Sequence, residues 1–246
     1  MRPILFSSFV TVSFALVGAL NYSPSASAKV APSARTDAFK YPVDVSPLSR
    51  DNTYLRASIA PDFWALMPYL SNQKTNSDCS VATAVTLLNG MRRFKELKID
   101  EMLLTPESIL KRTRDKVWSE ATAEDGGGIS LTQFSQVLEK AFRAHAIDNA
   151  NVKPVPFGDF NVAQLEKELI GDEASNRDFL IINFDQGFVM EDESVGHFAL
   201  VGAYDAKKKR VLVLDPNKDW YEPYWVPLVK LYRSMAEDRG YIKVTY

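Results

Sequence analysis

Apolar residues in the first two-thirds of the chain recur mostly at helical spacing, whereas those in the last third gather into short unbroken runs. Ala82, Val85, Leu88 and Met91 fall on one stripe and predict a helix over residues 80–93, with Ser77 and Asp78 as capping residues at its start. Residues 62–70 predict a short apolar helix ended by Pro68, and Thr105-Pro106-Glu107 opens another with proline in its first turn. Ser130-Leu131-Thr132-Gln133 has the form of a capping box for a helix reaching about His145, and residues 161–170 repeat that pattern on a smaller scale. The runs at 179–184, 197–204 and 211–214 are rich in β-favouring residues. The polar stretch 205–210 separates the last two as a hairpin would. A helix over 228–235 and a strand over 241–246 that closes the sheet complete the chain. Helices first and strands afterwards predict an α+β protein of two lobes.

The N-terminus follows neither pattern. Arg2 precedes a mostly apolar stretch at 4–20, and Ala26-Ser27-Ala28 is a small-x-small site. Together they predict a signal peptide over 1–28, cleaved before Lys29, with an uncleaved membrane anchor as the alternative that the length marginally permits. Export to the periplasm or the exterior follows, with no stable membrane insertion after cleavage. Residues 29–52 carry Pro32, Pro42 and Pro47 among small and polar residues and predict an extended arm or linker, which leaves 53–246 as the folded domain. The length of 246 residues suits one good-sized domain or two small lobes sharing a core. The net charge of −2 comes with no extended basic stripe, which argues against nucleic acid or an anionic membrane surface as a partner.

One cysteine cannot form an internal disulfide, so Cys79 is either a small buried hydrophobe or a working thiol. Its place at a helix start favours the second reading. Unpaired N–H groups and the positive end of the helix dipole suit an anionic sulfur there, and the same N–H groups suit the oxygen of a tetrahedral intermediate. Gln73, six residues earlier, adds a side-chain amide donor. The 197–214 hairpin brings the start of its first strand near the end of its second, so His197 and Asp215 are expected to lie close together. His197 then takes the sulfur's proton while Asp215 sets the ring's orientation. The other histidine, His145, sits late in a helix without an acidic partner at useful spacing and reads as structural or exposed. Gly126-Gly127-Gly128 lacks the strand and the Lys-Ser/Thr of a phosphate loop, Glu191-Asp192-Glu193 lacks calcium-ligand spacing, and the 207–210 cation run reads as a charged turn. One cysteine and two histidines offer no dedicated metal site.

The segments Gln73-Lys74-Thr75-Asn76-Ser77-Asp78-Cys79, Gly196-His197-Phe198, Val201-Gly202-Ala203-Tyr204 and Val211-Leu212-Val213-Leu214-Asp215, followed by Tyr221-x-Pro223-x-Trp225-Val226 and Arg239-Gly240-Tyr241, resemble the catalytic domain of phytochelatin synthase. The likeness covers roughly 62–246, in a short form without the cysteine-rich C-terminal extension. It implies a papain-like fold, with a helical lobe carrying the nucleophile and an antiparallel sheet carrying histidine and aspartate. It also implies the chemistry. Cys79 attacks the Cys–Gly amide of glutathione and releases glycine, and the γ-glutamylcysteinyl thioester passes to water or to a second glutathione. On the matched positions Cys79, His197 and Asp215 are catalytic and Gln73 is the oxyanion donor, with Ser80, Gly196 and Tyr221 near the substrate. The resemblance implies no required cofactor, and stimulation by thiolate-bound cadmium or zinc. Three departures point toward hydrolysis over chain elongation. Ser80 stands where the family commonly has glycine, no arginine occurs at Asp185-Gln186-Gly187, and Asp215-Pro216-Asn217-Lys218 differs from the family's Asp-Val-x-Arg. Two other readings are a peptidase or amidase of the bacteriocin-leader type on the same scaffold, and a non-catalytic thiol-peptide binding protein.

Overall fold

A computed structural model describes residues 39–92 and 95–246. The expected leader over 1–28, the first part of the arm and Arg93 lie outside the described residues. In chain order the elements are β1 (Ser46–Pro47), α1 (Thr53–Ala57), α2 (Pro61–Leu66), α3 (Cys79–Met91), α4 (Pro106–Thr113), α5 (Lys116–Ala121) and α6 (Leu131–Ala144). There follow β2 (Asn151–Pro156), α7 (Val162–Glu173), β3 (Asp178–Asp185), α8 (Gln186–Met190), β4 (Gly196–Asp205), β5 (Arg210–Leu214), β6 (Tyr224–Pro227), α9 (Leu228–Ser234) and β7 (Gly240–Thr245). The expected α+β class holds. The capping boxes at Thr105, Ser130 and Asn161 each close on the residue three positions later.

The strands form one sheet in the order β1-β6-β5-β4-β3-β7-β2, with every neighbouring pair antiparallel. Phe198, Leu200 and Leu214 on one face pack with Val81, Val85 and Leu88 of α3 and Phe134 of α6. Ala199, Val201 and Val213 on the other face pack with Leu165 and Leu169 of α7 and Leu228 and Leu231 of α9. Both faces are therefore dry, which is why the strands read as unbroken apolar runs rather than alternating ones. Two sequence expectations change. Residues 241–246 do not close the sheet, because β7 lies inside it between β3 and β2. The arm is more than a linker: Ser46–Pro47 pairs with β6, Val45 is buried, and Tyr41 packs on Tyr221 and Tyr224. Asp51 fastens this strap by accepting from Arg210 Nη1 at 2.5 Å and Lys208 Nζ at 3.1 Å.

Helix α3 is buried all round from Ser80 to Met91 rather than along one stripe. Its polar residues are tolerated because each has a partner. Trp118 Nε1 donates to Ser80 Oγ, Thr83 Oγ1 donates to the Phe198 carbonyl, and Asn89 bonds both backbone groups of Leu104.

The β4–β5 pairing carries a bulge. Val201 faces Val213 and Ala203 faces Leu212, so Gly202 is an extra residue in β4. Because facing residues share a side of the sheet, a slip of one residue exchanges the faces. Continuing the Leu200–Leu214 register one step puts Asp215 opposite Ala199, on the side shared with His197. Without the extra residue Asp215 would fall on the other side. A Cβ at Gly202 would lie 2.8 Å from Leu214 Cγ and Cδ2, next to Asp215. Gly202→Val is therefore expected to cost about 1–3 kcal/mol through overpacking. It should lower the melting temperature by several degrees and weaken alkylation of Cys79; a variant matching the parent in both would refute this account.

Candidate active site

The N-terminus of α3 is shaped by the loop before it. Asp78 occupies the N-cap position, but its side chain does not cap the helix. The carboxylate instead turns back and accepts from the backbone N–H groups of Lys74 and Thr75 at 3.0–3.1 Å. Ser77 does not cap either, since its hydroxyl donates to the Gly126 carbonyl. The first helical bonds run from the Val81 and Ala82 N–H groups to the Asp78 carbonyl. The Cys79 N–H precedes them and is among the orphan donors of the helix end.

A second loop holds the first in place. The Gln73 N–H donates to the Pro216 carbonyl at 2.8 Å, Asn72 Nδ2 donates to Asp219, and the Lys218 N–H donates to Asn72 Oδ1. The chain before the cysteine is thus stitched to the chain just after Asp215. The side-chain Oε1 of Gln73 is buried and has no partner among the described residues.

His197 stands at the start of β4, 4% exposed, with its ring edge-on to Phe184 at 5.7 Å and 80°. Its Nε2–H donates to Asp215 Oδ1 at 2.8 Å, which leaves Nδ1 for the half-buried Cys79, whose sulfur lies near enough to the ring to act on its charge. Burial by itself pushes the imidazole's pKa down. The charge and hydrogen bond of Asp215, with the Cys79 sulfur beside the ring, more than reverse that and raise it to about 10. Burial likewise pushes the Asp215 carboxyl up, but His197, the Tyr224 hydroxyl and the Asn217 N–H overcome it and hold the group below its ordinary range. A thiol, an imidazole and a fully buried carboxylate therefore form one line, with the sulfur at its more exposed end.

The remaining expected residues divide. Gly196 is exposed at the mouth of β4, and a Cβ there would meet nothing within 4 Å. Tyr221 is half-buried against Tyr41 and Tyr224, and its hydroxyl is raised to about 12 by burial and by the Asp215 charge. Ser80 does not fit its expected place near a substrate. It is 1% exposed and points into the core toward Trp118, because the second residue of α3 already faces inward. His145 is buried at the end of α6, its Nε2 has no partner among the described residues, and burial together with Arg112 and Arg92 lowers it to about 4. Sequence reasoning missed Gln186 and Tyr224, which both donate to Asp215 Oδ2. Gln186 drew notice only as part of a stretch lacking arginine, and nothing in its spacing pointed to an acid 29 residues away.

Residues 49–240 match the phytochelatin synthase family. A glutathione γ-glutamylcysteinyltransferase from Arabidopsis thaliana is 25% identical over 191 residues, covering 75% of this chain and 36% of that protein. One from Lotus japonicus is 28% identical over 197 residues, covering 74% and 37%, and one from Schizosaccharomyces pombe is 25% identical over 192 residues, covering 74% and 42%. The chain thus spans well under half the length of the curated relatives it matches. Among solved structures, a Bacillus anthracis chain described as a C39-like peptidase aligns at 14% identity with a TM-score of 0.47, over 74% of this chain and 95% of that one. With the family match running through most of its length, the chain belongs to the phytochelatin synthase family.

Proposed function

We propose that the protein is an exported cysteine enzyme acting on glutathione or a related thiol peptide, releasing glycine and passing the γ-glutamylcysteinyl group mainly to water. The observation that carries this reading is the Cys79–His197–Asp215 line, in a family whose curated members are named for γ-glutamylcysteinyl transfer. The Cys79 sulfur, its proton taken by His197, attacks the carbonyl carbon of the Cys–Gly amide. The resulting oxyanion is met by the Cys79 N–H and the Gln73 side-chain amide. His197 returns the proton to the glycine nitrogen, the C–N bond breaks, and a thioester remains on Cys79. Water, deprotonated by His197, then attacks the thioester carbonyl and frees γ-glutamylcysteine. Transfer to a second glutathione is the lesser branch. The 185–187 segment offers no cation for an acceptor carboxylate, since Asp185 caps α8 through the Phe188 N–H and Gln186 turns to Asp215. Cadmium or zinc would act as thiolate complexes of the substrate, and removal of residues 1–28 would deliver the enzyme outside the cytoplasm.

Incubation of residues 29–246 with glutathione, with and without cadmium, is expected to yield glycine and γ-glutamylcysteine in equal amounts, with longer oligomers minor. Cleavage of unmodified peptides in preference to glutathione would overturn the substrate and keep the nucleophile. Binding without turnover, with Cys79 alkylated by iodoacetamide no faster than a free cysteine, would make the protein a binder.

A further inference from the structure

We propose that Gln186 and Tyr224 are positioning residues that clamp the Asp215 carboxylate so that Oδ1 faces His197. The proposal rests on the reading of Cys79, His197 and Asp215 as one working set.

An ionised carboxylate has about four lone-pair sites, and Asp215 fills four from four separate parts of the chain. Oδ1 accepts His197 Nε2–H from β4 at 2.8 Å and the Asn217 N–H from the turn after β5 at 2.8 Å. Oδ2 accepts Gln186 Nε2 from the first residue of α8 at 2.7 Å and the Tyr224 hydroxyl from β6 at 2.6 Å. Gln186 is 5% exposed, and Asp215 and Tyr224 are 0% exposed, so water offers no substitute for either donor.

The torsion that turns a carboxylate about its last bond is broad and has little preference of its own. The two donors on Oδ2 fix its plane, and with it the direction in which Oδ1 offers a lone pair to His197. Both donors are neutral, so they favour the charged carboxylate without competing with the imidazolium for it as a second cation would. Tyr224 is itself braced: it pairs with Pro47 of β1 and Val213 of β5, and its ring leans on Tyr41 at 6.2 Å. The strap at the sheet edge therefore supports the acid of the site from behind.

The test uses Gln186→Met, Tyr224→Phe and the double variant in otherwise full-length protein, each compared with the parent by circular dichroism. Two readouts are taken: kcat and KM for glycine release, and the pH dependence of Cys79 alkylation by iodoacetamide. Each single variant is expected to lose about tenfold or more in kcat with KM unchanged, the scale of one charge-assisted hydrogen bond. Without its donors the carboxylate takes up a proton at higher pH, so the acid limb of alkylation should move upward and move furthest in the double variant. Folded variants with the parent's kcat and acid limb would overturn the proposal, as would a fall in melting temperature with no change in either readout. If Tyr224→Phe does not fold, Gln186→Met decides alone. Alkylation needs no glutathione, so a parent protein that releases no glycine would refute the proposed substrate while the limb still tests the clamp.

Discussion

Cys79→Ser is expected to abolish glycine release, with a loss of roughly 10⁴-fold or more in kcat/KM, the scale seen when the nucleophile of a cooperating set is removed. The change is small in volume at a half-buried position, so folding should hold within about 1 kcal/mol. The chemistry is what fails. A hydroxyl is far harder to ionise than a thiol, and its oxygen is the poorer nucleophile. Melting temperature and product release measured together make the result readable. A folded variant that kept a tenth of the parent's activity would remove Cys79 from the mechanism, and with it the functional reading.

Asp215→Asn should have the second largest effect, a fall in kcat of about 10⁴-fold by analogy with the loss of the acid from a serine triad. The side chain keeps its shape but loses its charge. In the parent, burial pulls His197 down and Asp215 pulls it up to about 10. In the variant burial acts with little opposition, so the ring should be neutral at pH 7, no imidazolium remains to stabilise the anionic sulfur, and alkylation of Cys79 should require a higher pH than in the parent. The same shift carries a stability signature. His197 has a folded pKa above its ordinary 6.5, so its contribution is complete below pH 6.5 and disappears as pH rises through about 10. Asp215 is held low, so its contribution is present above its ordinary 3.8 and is lost as pH falls through its lowered value. The stability gap between parent and variant in urea melts should therefore be widest between about pH 4 and 6.5 and should narrow toward pH 10. A gap that is flat with pH would mean that the ion pair does not couple to folding.

Much of the fold could be read before any coordinates, because local chemistry announced it. Ser130 and Gln133 close a box across a helix start whatever the rest of the chain does, and the short apolar, β-favouring runs at 179–184 and 211–214 are strands as expected. What escaped notice depends on distant partners. β2 contains Pro154 and Pro156, which argue against a strand unless it lies on a rim. Helix α3 looked one-sided because Thr83 and Asn89 are polar, and only their bonds to Phe198 and Leu104 explain their burial. At the site, the closeness of His197 and Asp215 was foreseeable from the hairpin. The extra residue at Gly202 that puts them on one side was not, since a one-residue offset leaves no mark in hydropathy. Ser80 was misplaced for a related reason: position in a motif does not say which way a helical side chain points.

On the outer strand β2 the backbone groups of Val152, Pro154 and Pro156 occupy the alternate positions turned away from β7. Two of these three have no N–H to offer. The opposite rim is the two-residue β1, which itself includes Pro47. Both borders are therefore poor templates for backbone pairing with an extended chain of a neighbouring molecule. The two rims thereby resist edge-to-edge association between molecules, a protection supplied by proline far from the sulfur.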